Sequence, residues 1–176
     1  MLEKWSIAFA DRLIRHSPES KMRAEVLAYA LGVYLNLAAT VLLALAFGLL
    51  TGELAQTLTA MLLFNLTRLF TGGFHFKSLG ACALASAALY AAIPWFELAA
   101  PTASALTVWA LAIFLLLAPA SAPETTRLPR RLRPWFKAVA VLLAAANLAL
   151  SSELFALVLA AQALTLLPVR KGGEDR

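Results

Sequence analysis

Two residues stand out for the chemistry they could do: Cys82, the only cysteine in the chain, and His75, seven positions before it. A thiol beside an imidazole is a nucleophile beside a general base, provided the two groups come within hydrogen-bond reach of one another. On one unbroken helix they could not, because a seven-residue step puts them on the same face but roughly 10 Å apart along the axis. The backbone must fold back between them. Gly72, Gly73 and Gly80 offer the freedom to do so, since glycine reaches backbone angles closed to other residues. Ser78 suits the N-cap of a helix that follows. Cys82 then lies about one turn inside the positive end of that helix, where the dipole and a neighbouring imidazolium both favour the reactive thiolate.

Fourteen residues before Cys82 stands Arg68, with Asn65 and Thr67 close by in sequence. A guanidinium there can donate to a developing oxyanion or to a substrate carboxylate, or it can snorkel to phosphate headgroups. Asn65, Thr71 and Glu124 are available as a third group to orient the imidazole. A plainer reading also exists, in which the cysteine only packs and the histidine only meets water. The glycine pair beside both residues favours the catalytic reading. One cysteine excludes an internal disulfide and a cysteine-based metal cluster, and no metal or cofactor is expected.

The elements that must hold these residues are membrane helices. With 61% hydrophobic and 14% charged residues, the chain is too apolar for a water-soluble domain. Its apolar residues fall in blocks near the length of about 20 residues that a helix needs to cross a hydrocarbon core. Six spans are expected: Val26 to Leu50, Leu54 to Phe70, Leu79 to Phe96, Thr102 to Pro119, Trp135 to Leu150 and Leu154 to Leu167. The first four are the secure ones. The last two are short and meet at Ser151-Ser152, which suggests a tight hairpin or a re-entrant pair. Ala83, Ala85, Ser86 and Ala87 suit close helix packing. No signal peptide is expected in Met1 to Arg23, which carries charges throughout.

All fifteen basic residues fall in four places: Lys4 to Arg23, the turn holding Arg68 and Lys77, the loop Ser121 to Lys137, and the tail from Arg170. With six crossings all four lie on one side, while the other turns carry only Glu53, Glu97 and Glu153. The positive-inside rule then places both termini, Arg68 and His75 at the cytoplasmic face of a cell membrane. The net charge of +5 reads as contact with anionic lipids rather than nucleic acid, because the charges flank spans. In Leu2 to Arg15, Leu2, Trp5, Phe9 and Leu13 share a helical stripe opposite Lys4, Asp11 and Arg15, as in a helix resting on the interface; Ile7 and Ile14 fall off it. One all-α integral-membrane domain is expected over 1–176: an amphipathic cytoplasmic segment 1–23, a bundle 26–167 and a cytoplasmic tail 168–176.

Arg68, Gly72-Gly73-Phe74-His75 and Cys82, with their spacing, resemble the accessory gene regulator B family, membrane endopeptidases of quorum sensing. Ala122-Pro123-Glu124-Thr125-Thr126-Arg127-Leu128-Pro129 is similar to that family's segment after the fourth span, one residue out of register. Phe76 departs from the small residue expected after the histidine, and the Ser121 to Pro134 loop is richer in arginine.

The resemblance implies a thiol endopeptidase in which Cys82 attacks a short AgrD-like propeptide and His75 acts as base and then acid. It implies positioning roles for Arg68, Gly72 and Gly73. A thioester acyl-enzyme would then be opened by an internal thiol or hydroxyl, releasing a thiolactone or lactone ring. Arg127, Arg130, Arg131 and Arg133 would bind the acidic tail of the propeptide. Partners would be the propeptide and anionic lipids, with homodimer formation open and no nucleic acid involved. The rival readings are a small transporter or channel lined by Arg68 and His75, and a lipid-modifying transferase. A transporter should show internal repeats or helices broken at mid-membrane, and the sequence has neither.

Overall fold

The computed structural model describes residues 6–9, 12, 24–74, 76, 78–120 and 129–167. They are all-α: α1 (Ala24–Thr51), α2 (Leu54–Thr71), α3 (Leu79–Ala92), α4 (Ala100–Leu117), α5 (Arg133–Leu150) and α6 (Glu153–Leu166), with 3-10 turns at Ile93–Trp95 and Arg130–Leu132. Residues 6–9 are also helical. There Ser6 is buried while Ile7 and Phe9 are both more than half exposed; the other members of the expected N-terminal stripe lie outside the described residues.

Three helices are long and apolar enough to cross a membrane: Val26–Thr51, Ala100–Leu117 and Arg133–Leu150. Leu79–Trp95 and Glu153–Leu166 are shorter apolar helices. The division differs from expectation in three places. The second span is an 18-residue helix, but Gln56, Thr57, Asn65, Thr67, Arg68 and Thr71 leave it outside the apolar set. The third ends its α-helical part at Ala92 because Pro94 cannot continue the backbone ladder. The fifth is longer than expected: it starts at Arg133, with proline in its first turn, where a missing N–H costs nothing.

The chain divides into two compact units, Met1–Met61 with His75–Trp95, and Leu62–Phe74 with Phe96–Arg176. In the first, α1 packs on α3. The buried positions of α1 are Gly32, Thr40, Ala44 and Gly48, those of α3 include Ala83, Ala87 and Ala91, and both sets recur in steps of four on one helical face. Small residues let two backbones approach closely, which drives association where lipid offers no hydrophobic contrast. Ala83 and Ala87 thus pack as anticipated, whereas Ala85 is exposed.

In the second unit α4 packs against α5 and α6. Most of α6 is buried, including Phe155, Ala156, Val158, Leu159, Gln162 and Ala163, while Glu153 and Leu164 are exposed. The expected hairpin is present. Ser151 takes the left-handed conformation (φ 51°) and Ser152 caps α6. Asn147 pins this turn, accepting from the Ser152 N–H and donating to the Ser152 carbonyl (both 3.2 Å) and to Thr107 Oγ1 at 2.9 Å. At the same end the Leu98 N–H donates to Glu153 Oε2.

At the opposite end of this unit three helix C-termini gather. The N–H of Ala120, just beyond α4, donates to the Thr71 carbonyl at the end of α2. The N–H of Phe74 donates to the Thr165 carbonyl in α6. Lys137, in the first turns of α5, donates from Nζ to the Leu115 carbonyl at 2.7 Å, satisfying one of the orphan carbonyls that end α4. Phe70 and Phe136 pack edge to face there, 5.5 Å apart.

Candidate functional site

Cys82 lies where the sequence places it. Ser78 is the N-cap of α3, with extended backbone and a side chain accepting from the Ala81 N–H at 3.5 Å, and the Cys82 N–H donates to the Ser78 carbonyl at 3.0 Å. The thiol therefore belongs to the first turn of a helix, beside the end that carries partial positive charge. Cys82 is half-buried and carries no disulfide. His75 and Lys77 lie outside the described residues, as do Glu124 and Arg127.

The turn leading toward His75 is built from glycine for a steric reason. Gly72 has φ +71° and Gly73 φ +130°, angles that side chains with a Cβ adopt at a cost or not at all. A Cβ at Gly72 would overlap the Ala120 carbonyl oxygen, and one at Gly73 would sit 2.5 Å from Thr165 Oγ1 and 3.3 Å from Gln162 Nε2. Gly72 and Ala120 form an isolated parallel bridge. Gly80 contributes nothing to the reversal: it is helical in α3, with open space where a Cβ would project. The expectation for that residue is corrected, because Gly80 already lies inside α3, past the Ser78 cap.

Several polar atoms of the turn have defined partners. The Gly72 N–H donates to the Arg68 carbonyl at 2.9 Å, ending the helical ladder. Arg68 then returns through its side chain, Nη2 donating to the Phe74 carbonyl, with the guanidinium carbon 5.8 Å from the Phe64 ring centroid. Gln162 Nε2 donates to the Gly72 carbonyl at 2.6 Å and to Thr71 Oγ1 at 2.8 Å. The Thr71 hydroxyl donates in turn to the Thr67 carbonyl at 3.0 Å. Thr67, Thr71 and Gln162 are fully buried.

Thr71 is engaged with Thr67 and Gln162, and Asn65 is exposed. Arg68 has a structural task at Phe74 that neither sequence reading of it contained. Of the basic loop, Arg130 opens a 3-10 turn and Arg131 and Arg133 are exposed. Lys137 is held by Leu115 instead. The sequence reading missed Gln162 and Thr165, which lie about 90 positions from the turn they hold; the available signal was a lone amide in an otherwise apolar helix.

The family model described as Accessory gene regulator B matches residues 6–166, which takes in every described helix and the whole of this turn. The chain belongs to the AgrB family. An AgrB-like protein of Halalkalibacterium halodurans is 34% identical over 99 residues, which is 56% of this chain and 50% of that protein. The match thus spans half the length of that curated relative. No solved structure matches the chain. Among the described residues, the end of α2 and the turn at Gly72 bring Thr67, Arg68, Thr71 and Gln162 together.

Proposed function

We propose that this protein is a single integral-membrane cysteine endopeptidase domain that cleaves an AgrD-like propeptide and closes the product into a ring for quorum sensing. Cys82 Sγ attacks the peptide carbonyl, forming a C–S bond, and His75 takes the thiol proton. When the C–N bond breaks, the same imidazole delivers that proton to the leaving amine. A thiol or hydroxyl within the bound peptide then attacks the thioester. Cys82 leaves as thiolate and regains a proton through His75, while a thiolactone or lactone departs. Exchange of one thioester for another is close to thermoneutral, so the step depends on proximity and exclusion of water.

The observation that carries this reading is the chain's single cysteine in the capped first turn of α3, just past a clamped double-glycine turn, in a member of the AgrB family. Arg68, Gly72 and Gly73 hold that turn. Six crossings with both termini and the dyad at the cytoplasmic face account for the basic residues. The convergence of the ends of α2, α4 and α6 with Lys137 supports that alternation.

The test uses a synthetic propeptide with an amphipathic N-terminal half, a central cysteine and an acidic tail, presented to membranes containing the protein. Wild type should release the tail and pass through a hydroxylamine-sensitive adduct on Cys82. Cys82→Ala and His75→Ala should both fall to background at unchanged membrane content, since a pair acting as one unit is lost with either member. Cleavage by Cys82→Ala would falsify the mechanism.

A further inference from the structure

We infer that Gln162 is a positioning residue for this reaction, its buried amide fixing the Gly72-Gly73-Phe74 turn from which the chain runs into His75. The inference rests on the endopeptidase reading and extends it to a residue in the last described helix.

Burial gives the first reason. Gln162 is completely inaccessible in a helix whose other buried residues are Phe, Ala, Val and Leu. A leucine or methionine would fill the same volume without desolvating an amide, and an amide is tolerated there only if its hydrogen bonds justify it. They do so on one side. Nε2 meets the Gly72 carbonyl at 2.6 Å and Thr71 Oγ1 at 2.8 Å. Oε1 has no hydrogen-bond partner among the described residues. The orientation is chemically determined, because a carbonyl only accepts and the amide nitrogen must face it. A side chain buried at such expense, half of it unpaired, is not what packing alone would select.

The second reason is what the amide holds. Two adjacent glycines with φ +71° and +130° have more backbone freedom to lose than any other pair. The last turns of α6 take up three consecutive residues. Gln162 binds the Gly72 carbonyl, Thr165 Oγ1 and Gln162 Nε2 close over Gly73, and the Thr165 carbonyl accepts the Phe74 N–H. Arg68 completes the clamp at the Phe74 carbonyl. The next residue in the chain is the proposed base. Misplacement of a reacting group by about 1 Å can lower a rate by as much as about a hundredfold, so a clamp on the turn acts on turnover rather than on peptide binding.

The experiment compares Gln162→Met, which keeps volume and removes the donor, with wild type in membranes. The synthetic propeptide serves as substrate, and active molecules are counted by iodoacetamide labelling of Cys82. The expected result is kcat per labelled thiol lowered at least about tenfold, with KM within about twofold. Asn147→Ala, which loosens the same unit at its other end, should reduce the number of active molecules and leave kcat per thiol unchanged. If Gln162→Met fails to accumulate, Gln162→Asn draws the donor back by one carbon, beyond reach of Gly72, and should show the same kcat loss. A kcat per thiol within twofold of wild type in the variant that accumulates, or a loss confined to KM, overturns the inference and leaves the endopeptidase reading standing. Cleavage by Cys82→Ala in the same assay would remove both.

Discussion

Substituting Gly72 by alanine tests the turn most directly, because the obstacle is backbone rather than a side chain that could swing aside. The added methyl would overlap the Ala120 carbonyl oxygen, with the carbonyl carbon 3.2 Å away. A left-handed residue with a Cβ costs roughly 1–2 kcal/mol. Relieving the overlap means moving Ala120 and Gly72 apart, which breaks the 2.8 Å bond from the Ala120 N–H to Thr71 and the 2.6 Å bond from Gln162 to Gly72. Each such bond contributes about 1 kcal/mol net. Together these reach about 3–4 kcal/mol, enough to lower the folded-to-unfolded ratio by at least roughly 100-fold. Gly80→Ala is the matched control: nothing lies within 4 Å of its Cβ position, and a helical alanine should gain between zero and about 1 kcal/mol. Folded fraction measured while a denaturing detergent is titrated into a mild one reports both. If Gly72→Ala unfolds with wild type, or Gly80→Ala does comparable harm, the clamped turn is not what holds this end of the bundle.

Asn147→Ala removes three hydrogen bonds at the Ser151-Ser152 hairpin and leaves Thr107 without its donor; the same detergent titration should show a loss of about 2–3 kcal/mol. Reporters fused after Gly73, Arg131 and Lys171 should read cytoplasmic, and those after Glu53, Glu97 and Ser152 external; an external Arg131 would refute six crossings. Neutralising Arg130, Arg131 and Arg133 together should weaken propeptide binding roughly tenfold and flatten its dependence on salt, while the rate at saturating peptide stays constant. An unchanged salt dependence would reduce those residues to a topology signal.

The parts of the site legible in sequence are those set by local chemistry. Ser78 as a cap, the positive φ of Gly72 and Gly73 and the hairpin at Ser151-Ser152 each follow from what a residue does to its own few neighbours. What escaped depends on distant contacts. Gln162 reads as one polar residue in an apolar stretch until α6 lies beside the end of α2, about 90 positions away. Gly80 shows the converse error, since glycine permits a turn but does not require one, and Ser78 starts the helix before Gly80 is reached. The polar residues of α2, which the expected span Leu54 to Phe70 passed over, also sort only by distant contacts. Thr57, Thr67 and Thr71 are buried at helical spacing while Gln56 and Asn65 are exposed, and mean hydropathy says nothing about which face each polar residue occupies.

The basic residues from which the topology is proposed also separate into two kinds once the helix ends are placed. The ends of α2, α4 and α6 meet in one region, and each brings the partial negative charge of its last carbonyls. Cations there lower the energy of the assembled unit. Lys137 binds the Leu115 carbonyl and Arg68 the Phe74 carbonyl, so both act as caps on backbone that apolar surroundings would otherwise leave unsatisfied. Arg131, in the 3-10 turn before α5, and Arg133, its first residue, are exposed. A charge that binds a backbone carbonyl directly should matter at any salt concentration more than one that attracts an acidic peptide from a distance, whose effect falls as ionic strength rises. The basic residues thus differ in what they touch, and on the proposed reading Arg131 and Arg133 are the ones whose removal should change the salt dependence of propeptide binding.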